Sequence, residues 1–292
     1  MIEGRTLFPS TVVDVKDSPR LFVSGHNNPK LGAAVRKGPR AGWPIFHLTL
    51  EERATCPRSC AVYDYCFGNG MYRARRHRHG PDLEAMIVEE LDLLSRDYPD
   101  GYLIRLHTLG DFYSVGYVAL WAQMLKKHPA LHVFGYTART EQDDDAESQR
   151  IAAALVRLTE ARWSRFAIRF SRPGGGPQGA FVVDADPCRP DTVVCPAQTG
   201  GTAACATCGL CWVDAYRDRA IAFLRHGMVH ASGPRRPGAV PNRFKTPVQP
   251  PKRPEEGPIT PQLRRLAAAG DKIAEAALAR KIAIFGDNGG DG

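Results

Sequence analysis

Between residues 43 and 226, short apolar runs alternate with segments whose apolar positions recur at helical spacing. "WPIFHLTL" (43–50) predicts a strand. Leu83, Met86, Ile87, Leu91 and Leu94 then predict a helix. "YLIRLHTL" (102–109) predicts a second strand, followed by a helix that Ser114 can cap and that turns Tyr117, Leu120, Trp121 and Met124 inward. "LHVFGYTA" (131–138) is a third strand, with Ile151, Ala154, Leu155 and Leu158 marking its helix. "RFAIRFS" (165–171), "AFVVDAD" (180–186) and "TVVCPA" (192–197) bring the strands to about six. A helix is expected over 213–226, with Val213, Tyr216, Ala220, Phe223 and Leu224 on one face.

Strand–helix alternation implies an α/β fold with a mostly parallel sheet. Right-handed crossovers curl such units into an open barrel or lay them out as a doubly wound sheet. The expectation is the open, partial βα barrel with a Cys-rich segment, spanning residues 1–232. In either layout, chemistry belongs on the loops after the strands' C-terminal ends. The unusual residues cluster there: a cysteine loop, "TLGDFYS", "YTARTEQ", "SRPGGG" and Cys195. Residues 233–260 are rich in proline and basic residues and read as an extended linker. Residues 261–292 predict a C-terminal helix and tail.

No apolar run is long enough to span a bilayer, and the N-terminus lacks a signal-peptide layout. A cytoplasmic protein with no membrane partner is expected, in which eight cysteines suit metal better than disulfides. The net charge of +8 favours an anionic partner. Arg and Lys gather in "YRARRHRHG" (72–80) and in the linker over 233–254, where salt-dependent nucleic-acid binding is expected.

"TCPRSCAVYDYCFGNG" (55–70) holds Cys56, Cys60 and Cys66 as C-x3-C-x5-C. Three thiolates on one loop suit a 4Fe–4S cluster whose fourth iron stays open to a ligand. The alternatives are zinc completed by His77 or His79, and plain buried thiols. The second group, Cys195, Cys205, Cys208 and Cys211, contains the C-x2-C-x2-C core of bacterial ferredoxins. It suits a second 4Fe–4S cluster or zinc, with Cys188 spare or a substitute ligand. Ser171 and the glycines after it could approach a ribose or phosphate, and Arg139 a carboxylate or phosphate. No Walker loop, dinucleotide fingerprint or compact acidic set for magnesium occurs.

A three-cysteine loop after the first strand of a βα array, with aromatic Tyr65 before the last cysteine, resembles the radical S-adenosylmethionine superfamily. The usual spacing there is C-x3-C-x2-C. In that superfamily a Gly-Gly-Glu-like motif ends the second strand and holds the methionine amino group. Gly110 and Asp111 match it by position. More narrowly, "NNPKLG", the cysteine loop, "RLHTLGDFYSVGYVALW", "YTAR" and "VCPAQTGGTAACATCGLCW" resemble the phage and prophage gene product 88 family. The wider resemblance implies an enzyme that binds S-adenosylmethionine, takes an electron from a donor and makes a 5′-deoxyadenosyl radical to modify a substrate, nucleic acid among the candidates. The alternative is a non-catalytic iron–sulfur or zinc protein that binds nucleic acid.

Overall fold

The structure is a computed structural model that describes residues 4–225, and Ala268 alone beyond them. The expected linker at 233–260 and terminal helix at 261–292 therefore lie outside the described residues. Ten short strands form in chain order. They are β1 (Val12–Val13), β2 (Val23–Ser24), β3 (Ile45–His47), β4 (Arg76–His77), β5 (Tyr102–Leu106), β6 (Leu131–Thr137), β7 (Phe166–Ser171), β8 (Gly179–Val183), β9 (Thr192–Val194) and β10 (Ala220–Leu224). β1 and β4 make a small parallel pair. The other eight form one sheet in the order β2-β3-β5-β6-β7-β8-β10-β9. Only β2 runs antiparallel to its neighbour.

Three helices cross over between successive parallel strands: α1 (Pro81–Asp97), α2 (Val115–Lys127) and α3 (Ala146–Arg162). Pro81 opens α1, where a missing N–H costs nothing. The Ser114 hydroxyl accepts from the Tyr117 N–H to cap α2, and Asp145 accepts from Glu147 and Ser148 to cap α3. Leu83, Ile87 and Leu91 of α1, Tyr117 and Trp121 of α2, and Ile151 and Leu155 of α3 share one core with Ile104, Val133 and Ile168 of the sheet. The opposite sheet face, with Ile45, Leu103, Phe134 and Ala167, is covered by Leu31, Val35, Ala204, Ala206 and Trp212. Strand alternation thus sorts side chains between a helical layer and a layer of irregular chain. All three helices lie on one face, whereas a doubly wound sheet divides them between two.

Two expectations are corrected. The sheet has eight strands rather than about six. Of the helix expected over 213–226, the described residues to 225 are not helical: a 3-10 turn at Asp214–Tyr216 leads into β10, which sits between β8 and β9. Buried on both sides, β10 is a continuous apolar run, and such a run matches helical spacing by accident. The strand order is an open row with β2 and β9 at its edges. Among the described residues no helix is long and apolar enough to cross a membrane.

Candidate metal centres

After β3 the chain stays buried through Leu48, Leu50, Glu51, Glu52 and Arg53 before entering the first cysteine loop. Burying those carboxylates requires partners. Glu52 receives Arg76 in a two-pronged ion pair, Nε to Oε2 at 2.6 Å and Nη2 to Oε1 at 3.1 Å. Arg76 also donates to the carbonyls of Gly68, Met71 and Ala74, which fixes the far end of the loop. Within the basic run 72–80, then, Arg76 is an internal strut and fully buried. Arg53 donates to Asn69 Oδ1 at 2.6 Å and pins the same turn.

The thiols held in this frame sense one another. Burial pushes the Cys60 thiol up to about 12, with Asp111 and Cys66 adding to it. Cys56 is pushed up by burial and then by Asp111, Cys60 and Cys66, and Cys66 chiefly by burial. Backbone hydrogen bonds from Val62 to Cys60 and from Gly68 to Cys66 favour their thiolates. A bound cluster or ion would use that preference, because thiolate is the ligating form.

Beneath the loop lies Asp111, 3% exposed. Its Oδ1 accepts from the Phe112 N–H and the Thr137 hydroxyl, and its Oδ2 from the Ala138 N–H, each at 2.7 Å. Burial still pushes its carboxyl up to about 6, against these donors and Arg139. The Asp111 N–H donates to Thr55 Oγ1 at 3.1 Å, and Arg139 donates to the Thr55 carbonyl at 2.8 Å. Gly110 has φ +87°, and a Cβ there would stand 2.7 Å from Leu50 Cβ and from Thr55 Oγ1. Glycine alone fits this turn. "LGD" and "YTAR" thus meet at the residue before Cys56. Arg139 is a buried strut, neither exposed nor in a surface ion pair of short reach.

The second group forms on the other layer. Cys195 precedes α4 (Pro196–Thr199), and α5 (Cys205–Cys208) carries the next two thiols. Backbone bonds from Cys205 to Lys30 and from Ala206 to Leu31 dock this segment on "NNPKLG". Cys195, Cys205, Cys208 and Cys211 line one small void of about 10 Å³. Burial pushes Cys205 up to about 12 and Cys195 to about 11, with Cys211 the next cause for both. Cys211 Sγ lies 2.7 Å from the Tyr136 hydroxyl. Arg105 stacks 4.4 Å from the Tyr136 ring centroid, and its charge favours the Cys205 thiolate. Arg169, fully buried, donates to the carbonyls of Leu210, Cys211, Tyr216 and Arg219 and staples the segment to β7.

A family model described as gene product 88 matches residues 21–214, two thirds of the sequence, and takes in both cysteine groups. The chain belongs to the gene product 88 family. No curated protein and no solved structure matches it.

Within the matched span, the two gene product 88 cysteine groups begin after the C-terminal ends of β3 and β9. The Lys30 ammonium lies 5.6 Å from the Phe67 ring centroid beside the first group. It also feels the charges of Cys195 and Cys205 in the second, although burial is the main influence and lowers its pKa. Tyr65, exposed beside Cys66, has the Arg225 guanidinium 5.3 Å from its ring centroid. Among the described residues, no three His, Cys, Asp or Glu side chains stand so as to hold one metal ion. Cys188 is exposed on its own turn and does not line the void. Ser171 closes β7 beside Ala180 of β8. His77 faces a different cleft, and the His79 ring packs 5.0 Å from Tyr113. Sequence reading missed Arg76, Glu52, Arg105, Tyr136 and Arg169. The available signal was charge inside an apolar strand: "YLIRL" and "FAIRFS" each carry an arginine where a sheet face should be apolar.

Proposed function

We propose that the chain is an iron–sulfur enzyme of the radical S-adenosylmethionine kind, built on an open, partial βα barrel. The observation behind this reading is the first loop. Three thiols in mutual electrostatic range, each with a backbone hydrogen bond, sit at the C-terminal edge of a parallel sheet on a buried ionic frame. A donor set of three thiolates suits a 4Fe–4S cluster with one open iron. Bound there, such a cluster would supply the electron that cleaves S-adenosylmethionine into methionine and a 5′-deoxyadenosyl radical.

The chain's own residues divide the remaining work. Cys56, Cys60 and Cys66 would hold the cluster. Asp111 has both oxygens engaged by internal donors, so it acts as a positioning residue that fixes the Thr55–Cys56 turn. Gly110 lets that turn approach closely. Tyr65 on the first cysteine loop and Ser171 at the end of β7 remain cofactor-side candidates. Cys195, Cys205, Cys208 and Cys211 would hold the second centre and relay electrons from a donor, and the basic linker would contact nucleic acid.

A second reading has an observation of its own. The void lined by the four thiols of the second group is about 10 Å³, a space on the scale of one ion. Zinc there would make that site a folding staple, and zinc at both would make the protein a nucleic-acid binder without radical chemistry.

Anaerobic reconstitution with counts of iron, sulfide and zinc, followed by electron paramagnetic resonance, separates the readings. The reduced protein should change its spectrum when S-adenosylmethionine is added and slowly release 5′-deoxyadenosine. Cys60→Ala should lose the first signal and retain the second. Two zinc ions, no iron and no cleavage would replace the enzyme with the binding protein.

A further inference from the structure

The basic run at 72–80 has a role outside both cysteine groups. In β4 the residues alternate. Arg76 turns inward to Glu52, while Arg75 and His77 turn to the other side and line a cleft of about 300 Å³. Pro19, Arg20 and Leu21, just before β2, Val23 within it, and Thr49, just after β3, complete its walls. Three segments distant in sequence therefore meet there, held by the backbone bond from the His77 N–H to the Thr49 carbonyl at 2.9 Å.

The charge of this cleft is one-sided. Arg20 and Arg75 are exposed and form no ion pair within 4.0 Å among the described residues. Glu90 feels the charge of Arg20, but its two oxygens already accept the N–H groups of Leu21 and Phe22. Arg75 has only a long 3.4 Å contact with the Ser18 hydroxyl. At the floor, His77 is 2% exposed and its Nδ1 has no partner, although a buried ring nitrogen ordinarily finds one. Burial, and then the charge of Arg75, holds that imidazole neutral down to about pH 4. Nδ1 itself has no surface open to the cleft, so the ring is an uncharged floor beside two guanidinium groups. Forked guanidinium donors match a tetrahedral oxyanion.

We propose that this cleft is a phosphate-binding site, in which Arg20 and Arg75 clamp the oxyanion above the uncharged His77 ring. The phosphate could come from a free or terminal phosphate monoester, or from the backbone of a nucleic-acid strand. The two sources share one chemistry and differ in what else must be near the cleft. None of the cysteines of either group lines the cleft.

The test uses the full-length chain at low salt, with inorganic phosphate and a single-stranded oligonucleotide lacking terminal phosphates titrated separately by calorimetry. The Arg20→Gln/Arg75→Gln variant alters exposed side chains only, and Arg73→Gln/Arg157→Gln is a charge-matched control outside the cleft. Binding of at least one probe should weaken at least tenfold in the cleft variant and less than threefold in the control. Loss confined to inorganic phosphate identifies a monoester site. Loss confined to the oligonucleotide, or shared by both probes, identifies the backbone of a strand. As a second readout, the ring resonances of His77 should shift on phosphate addition in the wild type. If neither probe binds, or the control loses as much as the cleft variant, the site does not exist.

Discussion

Asp111 shows how a single carboxylate can organise a loop it does not belong to. Its oxygens gather donors from Phe112, Thr137 and Ala138, and its own N–H ties the turn to Thr55, one residue before Cys56. Removing the carboxylate would leave buried donors without acceptors, and an unmet buried group costs more than an average hydrogen bond contributes. Asp111→Ala should therefore lower stability by about 2–4 kcal/mol in urea denaturation. Asp111→Asn should lose less, because the amide oxygen can still accept from two of the three donors. Equal losses would mean that charge, rather than hydrogen-bond geometry, governs this position. The strand-end "LGD" was legible as special in the sequence. Its inward-facing role was not, since only Thr55, Thr137 and Arg139 in space reveal the partners.

Among the elements, β6 carries the clearest constraint. Gly135 lies at its centre, where a Cβ would overlap the Leu106 carbonyl oxygen of β5 and press on Ile168 of β7. The run "LHVFGYT" is otherwise a strong strand former, so the glycine weakens propensity for the sake of close approach. Gly135→Ala should destabilise the fold by about 3 kcal/mol or more, as overpacking against backbone does. Thermal unfolding of the variant checks this; a shift of under a degree would show that β5 and β6 can part freely. Strands β5 to β7 and helices α1 to α3 were all readable, because their apolar positions repeat over long windows. β10 was not: its five residues are too few to separate a two-residue period from a helical one. Its pairing with β8 and β9, far off in sequence, decides its state.

For the whole molecule, buried histidines set the response to acid. Burial lowers His47, His77 and His132 to about 4 and His107 to about 3. Unfolded, each takes its proton near 6.5. Between those values the unfolded chain binds more protons, so stability is full above about pH 6.5 and is lost as pH falls toward 4. Asp111 works the other way, because its folded value near 6 exceeds its unfolded one, and it offsets part of that loss. Burial also lowers His79 and His128 and raises Glu90, so with six histidines against two carboxyls the melting temperature should fall steadily from pH 7 to pH 4.5. The loss is about 1–3 kcal/mol per histidine at the foot of the window. His132→Phe should flatten that profile, since its ring stacks 4.8 Å from Trp43 and carries no essential hydrogen bond beyond Ala130. An unchanged slope in that variant would assign the acid response elsewhere.

The sequence by itself determined the α/β class, the parallel order of the central strands, the helix caps at Ser114, and the family to which the chain belongs. These follow from local periodicity, short-range capping chemistry and motif spacing, all of which act within a few residues. It also grouped Cys195, Cys205, Cys208 and Cys211, which line one void in the structure. Only the tertiary structure decided that Arg76, Arg139 and Arg169 are internal struts rather than surface charges. The same is true of the clash at Gly135 and of the meeting of Arg20, Arg75 and His77 around one cleft. Each depends on partners dozens of residues away, and a charged side chain looks the same in sequence whether water or a buried carboxylate receives it.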